Sequence, residues 1–184
     1  NNNIVVANIT KPSNYFHFLR RQLAWEFRKP AVLMSPKSLL RHPLVVSPVD
    51  EFLNGHFQEI IDDTEAKAKE VKKVLLCTGK VYFDLLEYKQ KNNRKDVAIV
   101  RLEQLYPLAE NQLNEILAKY KGAKVQWVQE EPANMGAWGY ILQSLYKKVD
   151  IDLASRSSAS SPATGYAKAH AAEQIALVEK AFTI

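Results

Sequence analysis

The 184 residues are 47% apolar and 24% charged, enough chain to bury a core and too apolar for a disordered segment. No apolar run approaches the roughly 18 to 20 residues that cross a bilayer, and Asn1-Asn2-Asn3 before Ile4-Val5-Val6 is neither a basic nor a long apolar leader, so a soluble chain without an export signal is expected. The net charge of +5 is lopsided, since residues 1–43 hold seven cations against Glu26 alone and residues 44–184 hold 18 basic and 19 acidic groups.

The cationic excess has no RNA-binding signature, recognition helix or interleaved aromatics beside it, so it fits a solvated helix face, an anionic ligand or an acidic partner rather than nucleic acid. In chain order, Ile4 to Ile9 predicts a strand. Tyr15, Phe16, Leu19, Leu23 and Phe27 follow at helical spacing, with a start at Ser13 or Asn14 and a stop at Lys29-Pro30. Ala31 to Met34 predicts a short buried strand, and Ser47-Pro48-Val49-Asp50-Glu51 a capped helix start with proline in first position. Residues 50–72 lose periodicity, running from Asp62 to Glu70 through an acidic and then a basic stretch. They read as a connector, with an edge strand at Phe57 to Ile61. Beyond it, strands at 73–77, 97–102, 124–129 and 151–155 alternate with helices near 80–91, 109–120, 136–147 and 167–182. Four strand-helix repeats predict an α/β fold with a mostly parallel sheet and helices on both faces, and right-handed crossovers bring the strand ends to one edge.

Ligands of open α/β sheets collect at that edge. It receives Thr78-Gly79-Lys80, Arg101 with Glu103, Glu130-Glu131 and Arg156-Ser157. Adjacent carboxylates repel unless each finds a cation, so Arg101 and Arg156 are the expected partners of Glu130 and Glu131. The rim then serves ion pairing and domain docking, or an acid/base carboxylate pair. Pro132 should end the strand, Asn134 cap the next helix, Gly136 and Gly139 allow close approach, and Trp138 pack below. The loop from Ser157 to Gly165 suits an anion cradle of backbone N–H groups or a polar cap. Cys77 is the only cysteine, which excludes an internal disulfide, and it reads as a buried structural thiol. His17, His42, His56 and His170 are scattered, so no metal site is expected. With no Gly-x-Gly-x-x-Gly, Gly-Lys-Ser/Thr or Gly-Asp-Gly, a complete nucleotide or diphosphate site is not encoded.

Five segments go beyond spacing: NYFHFLRRQ at 14–22, MSPKSLLRHP at 34–43, VRLEQLYP at 100–107, QEEPANMGAW at 129–138 and ASSPATG at 159–165. In that order they resemble the carboxyl-terminal part of the thiamine-diphosphate-dependent 2-oxoglutarate dehydrogenases, a branch of the transketolase-like enzymes. The resemblance implies a three-layer αβα sandwich over residues 71–184. Before it come a connector at 47–70 and, at 1–46, the closing strand-helix-strand of a pyrimidine-binding domain. It also implies that thiamine diphosphate and magnesium are held upstream, so this stretch carries no catalytic, cofactor or metal residue and is inactive alone. The parent activity would be oxidative decarboxylation of 2-oxoglutarate with succinyl transfer to lipoyl groups, in the bacterial cytoplasm or the mitochondrial matrix. Implied partners are the rest of the chain, a homodimer mate and the dihydrolipoyl succinyltransferase component, with no nucleic acid and no membrane. Some members bind acyl-CoA or a nucleotide near the domain junction. Arg21 and Lys29, eight residues apart and so about two helical turns, would be the anion site for such an effector. The alternative is a free-standing α/β regulatory module for a CoA-like or nucleotide anion.

Overall fold

A computed structural model describes residues 2–183. Strand β1 (Val5–Ala7) leads into helix α1 (Pro12–Ala24) and then β2 (Ala31–Leu33), which pairs parallel with β1. Pro12 holds the first helical turn, where its missing N–H costs nothing. The helix stops at Ala24, short of Lys29-Pro30, because Trp25 turns extended and its ring stacks on Phe27 at 5.1 Å.

The residues that gave α1 its helical spacing mostly lie on its outer face. Ser13, Asn14, His17 and Phe18 are buried, while Tyr15, Phe16, Leu19 and Leu23 are exposed. Phe18 packs with Val5, Ala7, Ile9 and Phe57, and the rest of the surface beneath the helix is polar: Ser13 Oγ donates to Glu51 at 2.7 Å, Asn14 Nδ2 donates to the Gln58 carbonyl at 3.0 Å, and His17 Nε2 lies 2.7 Å from the Glu51 carbonyl. Satisfying those buried groups decides the rotation of the helix, since each would cost about 1 to 3 kcal/mol if left unpaired. β2 also departs from the buried strand expected at Ala31 to Met34. It is an edge strand, with Ala31, Val32 and Met34 exposed.

A 3₁₀ turn (Lys37–Arg41) and α2 (Val49–Asn54) follow. Pro48 sits just outside α2, and the Ser47 hydroxyl accepts the Ser13 N–H at 3.1 Å instead of capping α2. Lys11 Nζ donates to Glu51 at 2.5 Å, and Phe16 lies on Phe52 at 5.7 Å, so α2 is fastened to α1.

The larger sheet has the order β3-β5-β4-β7-β8, built from β3 (Ile60–Ile61), β4 (Lys73–Cys77), β5 (Val97–Leu102), β7 (Lys124–Pro132) and β8 (Ile151–Arg156). All pairings are parallel except that of β3 with β5. Alternation divides the core. Val74, Leu76, Ala98, Val100 and Trp127 face α4 (Glu110–Lys119) and α5 (Trp138–Leu145), whereas Leu75, Cys77, Val97, Ile99 and Val128 face α3 (Val81–Lys91) and α6 (Ala167–Phe182). This is the αβα sandwich. Buried Cys77 has its thiol pushed up to about 12 by burial, as suits a structural thiol.

β6 (Gln104–Tyr106) has no counterpart in the sequence reading. It pairs antiparallel with β1, giving a second sheet of order β2-β1-β6. The first strand of the chain is therefore completed by residues some 100 positions later. The connector is also anchored. Asp63 accepts Lys89 Nζ at 2.5 Å and the Ile99 N–H at 2.9 Å, covering the edge of β5 beyond β3, while Asp62 accepts Lys119 Nζ and the Tyr120 hydroxyl, each at 2.8 Å.

Gly136, ahead of α5, has φ +69, and a Cβ there would lie 2.9 Å from the Gln129 side chain. Gly136→Ala should therefore cost about 1 to 2 kcal/mol from the left-handed backbone, before any displacement of Gln129. A chemical melt checks this, with Gly139→Ala as control because nothing lies within 4 Å of a Cβ there.

Candidate functional site

The four parallel strands present their carboxyl ends on one rim, in the spatial order Arg101 and Glu103, Thr78 to Lys80, Glu130 and Glu131, then Arg156. That order decides who pairs with whom. β4 stands between β5 and β7, so Glu130 takes Lys80 from the β4 tip as its partner, not Arg101. Arg156, beside β7 in register with Pro132, turns the other way. Its Nη2 donates to Gln174 Oε1 at 2.8 Å and lies 3.1 Å from His170 Nδ1, and its Nε is 3.6 Å from Glu173. Glu131 is exposed and forms no ion pair among the described residues. The expected pairing of Arg101 and Arg156 with the adjacent glutamates is thus replaced, while the gathering of the charged tips on one edge holds.

Arg101 and Glu103 face the amino-terminal segment. Glu103 is wholly buried. It accepts the Thr10 N–H at 2.9 Å, the Thr10 hydroxyl at 2.5 Å and Asn14 Nδ2 at 3.1 Å. Arg101 Nη1 donates to the same Thr10 hydroxyl at 3.0 Å, and its guanidinium covers the Tyr82 ring at 4.2 Å. Burial pushes the Glu103 carboxyl above its ordinary value, opposed by the Arg101 charge and by the Thr10 and Asn14 donors. Every hydrogen-bonding neighbour is a donor, so these contacts match a carboxylate. Nearby, the Asn8 N–H donates to the Glu103 carbonyl at 2.9 Å. This cluster docks the strand and helix at the start of the chain onto the rim. Sequence reasoning placed Glu103 at the rim without giving it that role; the signal was a carboxylate next to Leu102, the last residue of the strand Val97–Leu102.

Arg21 and Lys29 both lie close to one aromatic ring. Arg21 lies 4.9 Å and Lys29 5.4 Å from the Trp25 ring centre. The helical spacing that would have aligned them does not apply, since α1 ends before Lys29. Arg21 is committed elsewhere: Nη1 donates to Glu59 at 3.0 Å, Nη2 donates to Gln104 at 2.7 Å, and the plane sits 4.2 Å from the Phe57 centre. Burial lowers its pKa against the raising effect of Glu59. An anion at the Arg21 Nη atoms would compete with Glu59 and Gln104.

Gln129 organises the loop that opens α5. Its Oε1 accepts the Trp127 indole N–H at 2.9 Å and the Trp138 backbone N–H at 3.0 Å, and its Nε2 donates to the Met135 carbonyl at 2.7 Å. It thereby takes the capping role expected of Asn134. Asn134 instead forms two bonds with the backbone of Ala159, at 3.0 and 3.1 Å, which hold the serine-rich loop against the rim. The glutamine at the end of the buried stretch Trp127-Val128 was the available signal, because a buried amide needs partners on both ends.

The Lys11 hydrogen bond holds the Glu51 carboxyl below its usual range, outweighing burial, with Ser13 helping. A depressed carboxyl contributes stability above its unfolded pKa, and that contribution is lost as pH falls through the folded value. Glu51→Gln should therefore destabilise more at about pH 7 than at about pH 2, a difference that urea melts at the two values measure directly.

Among the described residues no three His, Cys, Asp or Glu side chains gather where they could hold a metal ion. The buried Glu103 is taken up by Thr10 and Asn14. No described helix is long and apolar enough to cross a membrane.

Residues 46–182 match the family model described as 2-oxoglutarate dehydrogenase C-terminal. The mitochondrial 2-oxoglutarate dehydrogenase of Caenorhabditis elegans is 44% identical over 192 residues, covering 99% of this chain and 19% of the relative. The 2-oxoglutarate dehydrogenase E1 components of Haemophilus influenzae and Azotobacter vinelandii are 43% and 42% identical, covering 98% and 99% of this chain and 20% of each relative. The chain thus spans about a fifth of the length of these curated relatives. A family match across most of the length and relatives more than 40% identical over nearly all of it lead to one conclusion: the chain belongs to the 2-oxoglutarate dehydrogenase C-terminal family.

Proposed function

We propose that this chain is the carboxyl-terminal assembly part of a longer 2-oxoglutarate-decarboxylating, succinyl-transferring enzyme. It joins the α/β sandwich to a pyrimidine-binding domain and to a homodimer mate, and performs no chemistry alone. The observation that carries this reading is an apolar surface on residues 15–53. Leu23, Leu40, Val49 and Leu53 are 75%, 80%, 72% and 73% exposed, and a groove of about 370 Å³ is lined by Tyr15, Met34, Leu39 and Leu40. Exposed aliphatic residues concentrated in one segment mark a surface made for protein. Thiamine diphosphate and magnesium would lie in the rest of the enzyme, and the lipoyl-bearing succinyltransferase component would meet the assembled whole. The bacterial and mitochondrial relatives support a place in the cytoplasm or the matrix, according to source.

The purified chain, given 2-oxoglutarate, magnesium and thiamine diphosphate, should release no CO2 above the enzyme-free rate and show no saturable cofactor binding. Turnover by these residues alone would overturn the proposal.

A further inference from the structure

A cavity of about 500 Å³ lies between the tip of β8, the serine-rich loop and one side of α6, outside the contacts described above for domain docking. Glu173, Leu177 and Lys180, spaced four and three apart on α6, form one wall. Arg156 enters from the strand, with a side chain only 9% exposed. Its Nη2 is held by Gln174 and faces His170 Nδ1, which fixes the plane of the guanidinium, while its buried Nε has no hydrogen-bond partner. A buried guanidinium donor without an acceptor is costly, and the usual resolution is an anion with oxygens to spare.

We infer that this cavity binds a phosphate monoester with a small apolar body. The phosphate is placed at Arg156, with Lys180 and the hydroxyls of Ser157, Ser158 and Thr164 also lining the space. Such a set of donors exceeds what the two oxygens of a carboxylate can use and suits the several oxygens of a phosphate. Leu177 and Pro162 on the same lining give the body an apolar wall. Glu173 is the resident competitor: its Oε2 is 3.6 Å from Arg156 Nε and accepts the Thr164 hydroxyl, yet its side chain is 45% exposed and free to swing outward. Binding therefore exchanges the Glu173 carboxylate for the ligand phosphate.

Calorimetric titration of the chain with inorganic phosphate and with phenyl phosphate, at constant ionic strength, tests this. Phenyl phosphate should bind saturably and more tightly than phosphate. Lys180→Ala should weaken it about tenfold, as expected for one charge-assisted contact. Glu173→Gln should tighten it by a similar factor. Both substitutions are on the exposed side of α6 and leave Arg156 and its fixing partners in place. Absence of saturable binding, or affinities unmoved by Lys180→Ala and Glu173→Gln, would overturn the assignment.

Discussion

Glu103→Ala should lower the unfolding free energy by roughly 3 to 5 kcal/mol, because several buried donors lose their shared acceptor at about 1 to 3 kcal/mol each. The substitution leaves two Thr10 donors and the Asn14 amide without their acceptor, next to an Arg101 whose Nε already lacks a partner. Glu103→Gln keeps the volume and one acceptor but turns an amide N–H₂ toward donors, so a smaller loss of about 1 to 3 kcal/mol is expected. Urea melts of the three proteins give the ranking. Two variants within about 0.5 kcal/mol of the parent, the ordinary range for surface changes, would mean that the Glu103 cluster does not hold the amino-terminal segment to the sheet.

The second large effect belongs to Trp127, which is fully buried in the core shared with α4 and α5. Trp127→Ala should cost about 3 to 5 kcal/mol through the cavity it opens. Its indole N–H also orients Gln129, which in turn binds Trp138 and Met135. Trp127→Phe should fill most of the space and cost less, while loosening the loop from Glu131 to Gly136. Hydrogen exchange at Trp138 reads that second effect separately from global stability.

Much of the larger sheet was legible in the sequence because its strands are buried on both faces and appear as short apolar runs between helical patterns. The strands from Lys73 and Val97 begin and end where those runs do. β6 escaped because three residues, Gln104 to Tyr106, directly extend an existing strand and make sense only beside β1. The buried face of α1 was not legible for a related reason. Helical periodicity identifies the apolar side, but not whether that side meets this chain or other protein. Here Ser13, Asn14 and His17 find their hydrogen-bond partners within the chain, and the apolar side is left outward. At the rim, parallel topology predicted which charges gather. Pairing depended on strand order, which placed Lys80 next to Glu130 and kept Arg101 two strands away.

Hydrogen exchange compared between this chain alone and the same residues within the longer enzyme tests the assembly reading most directly. Slower exchange in the enzyme across residues 13–54, with little change in β4 and β5, is the predicted result, because protein covers the exposed face of α1, β2 and α2. Equal exchange across 13–54 in the two settings would contradict it, since that surface would then face water in the working enzyme too.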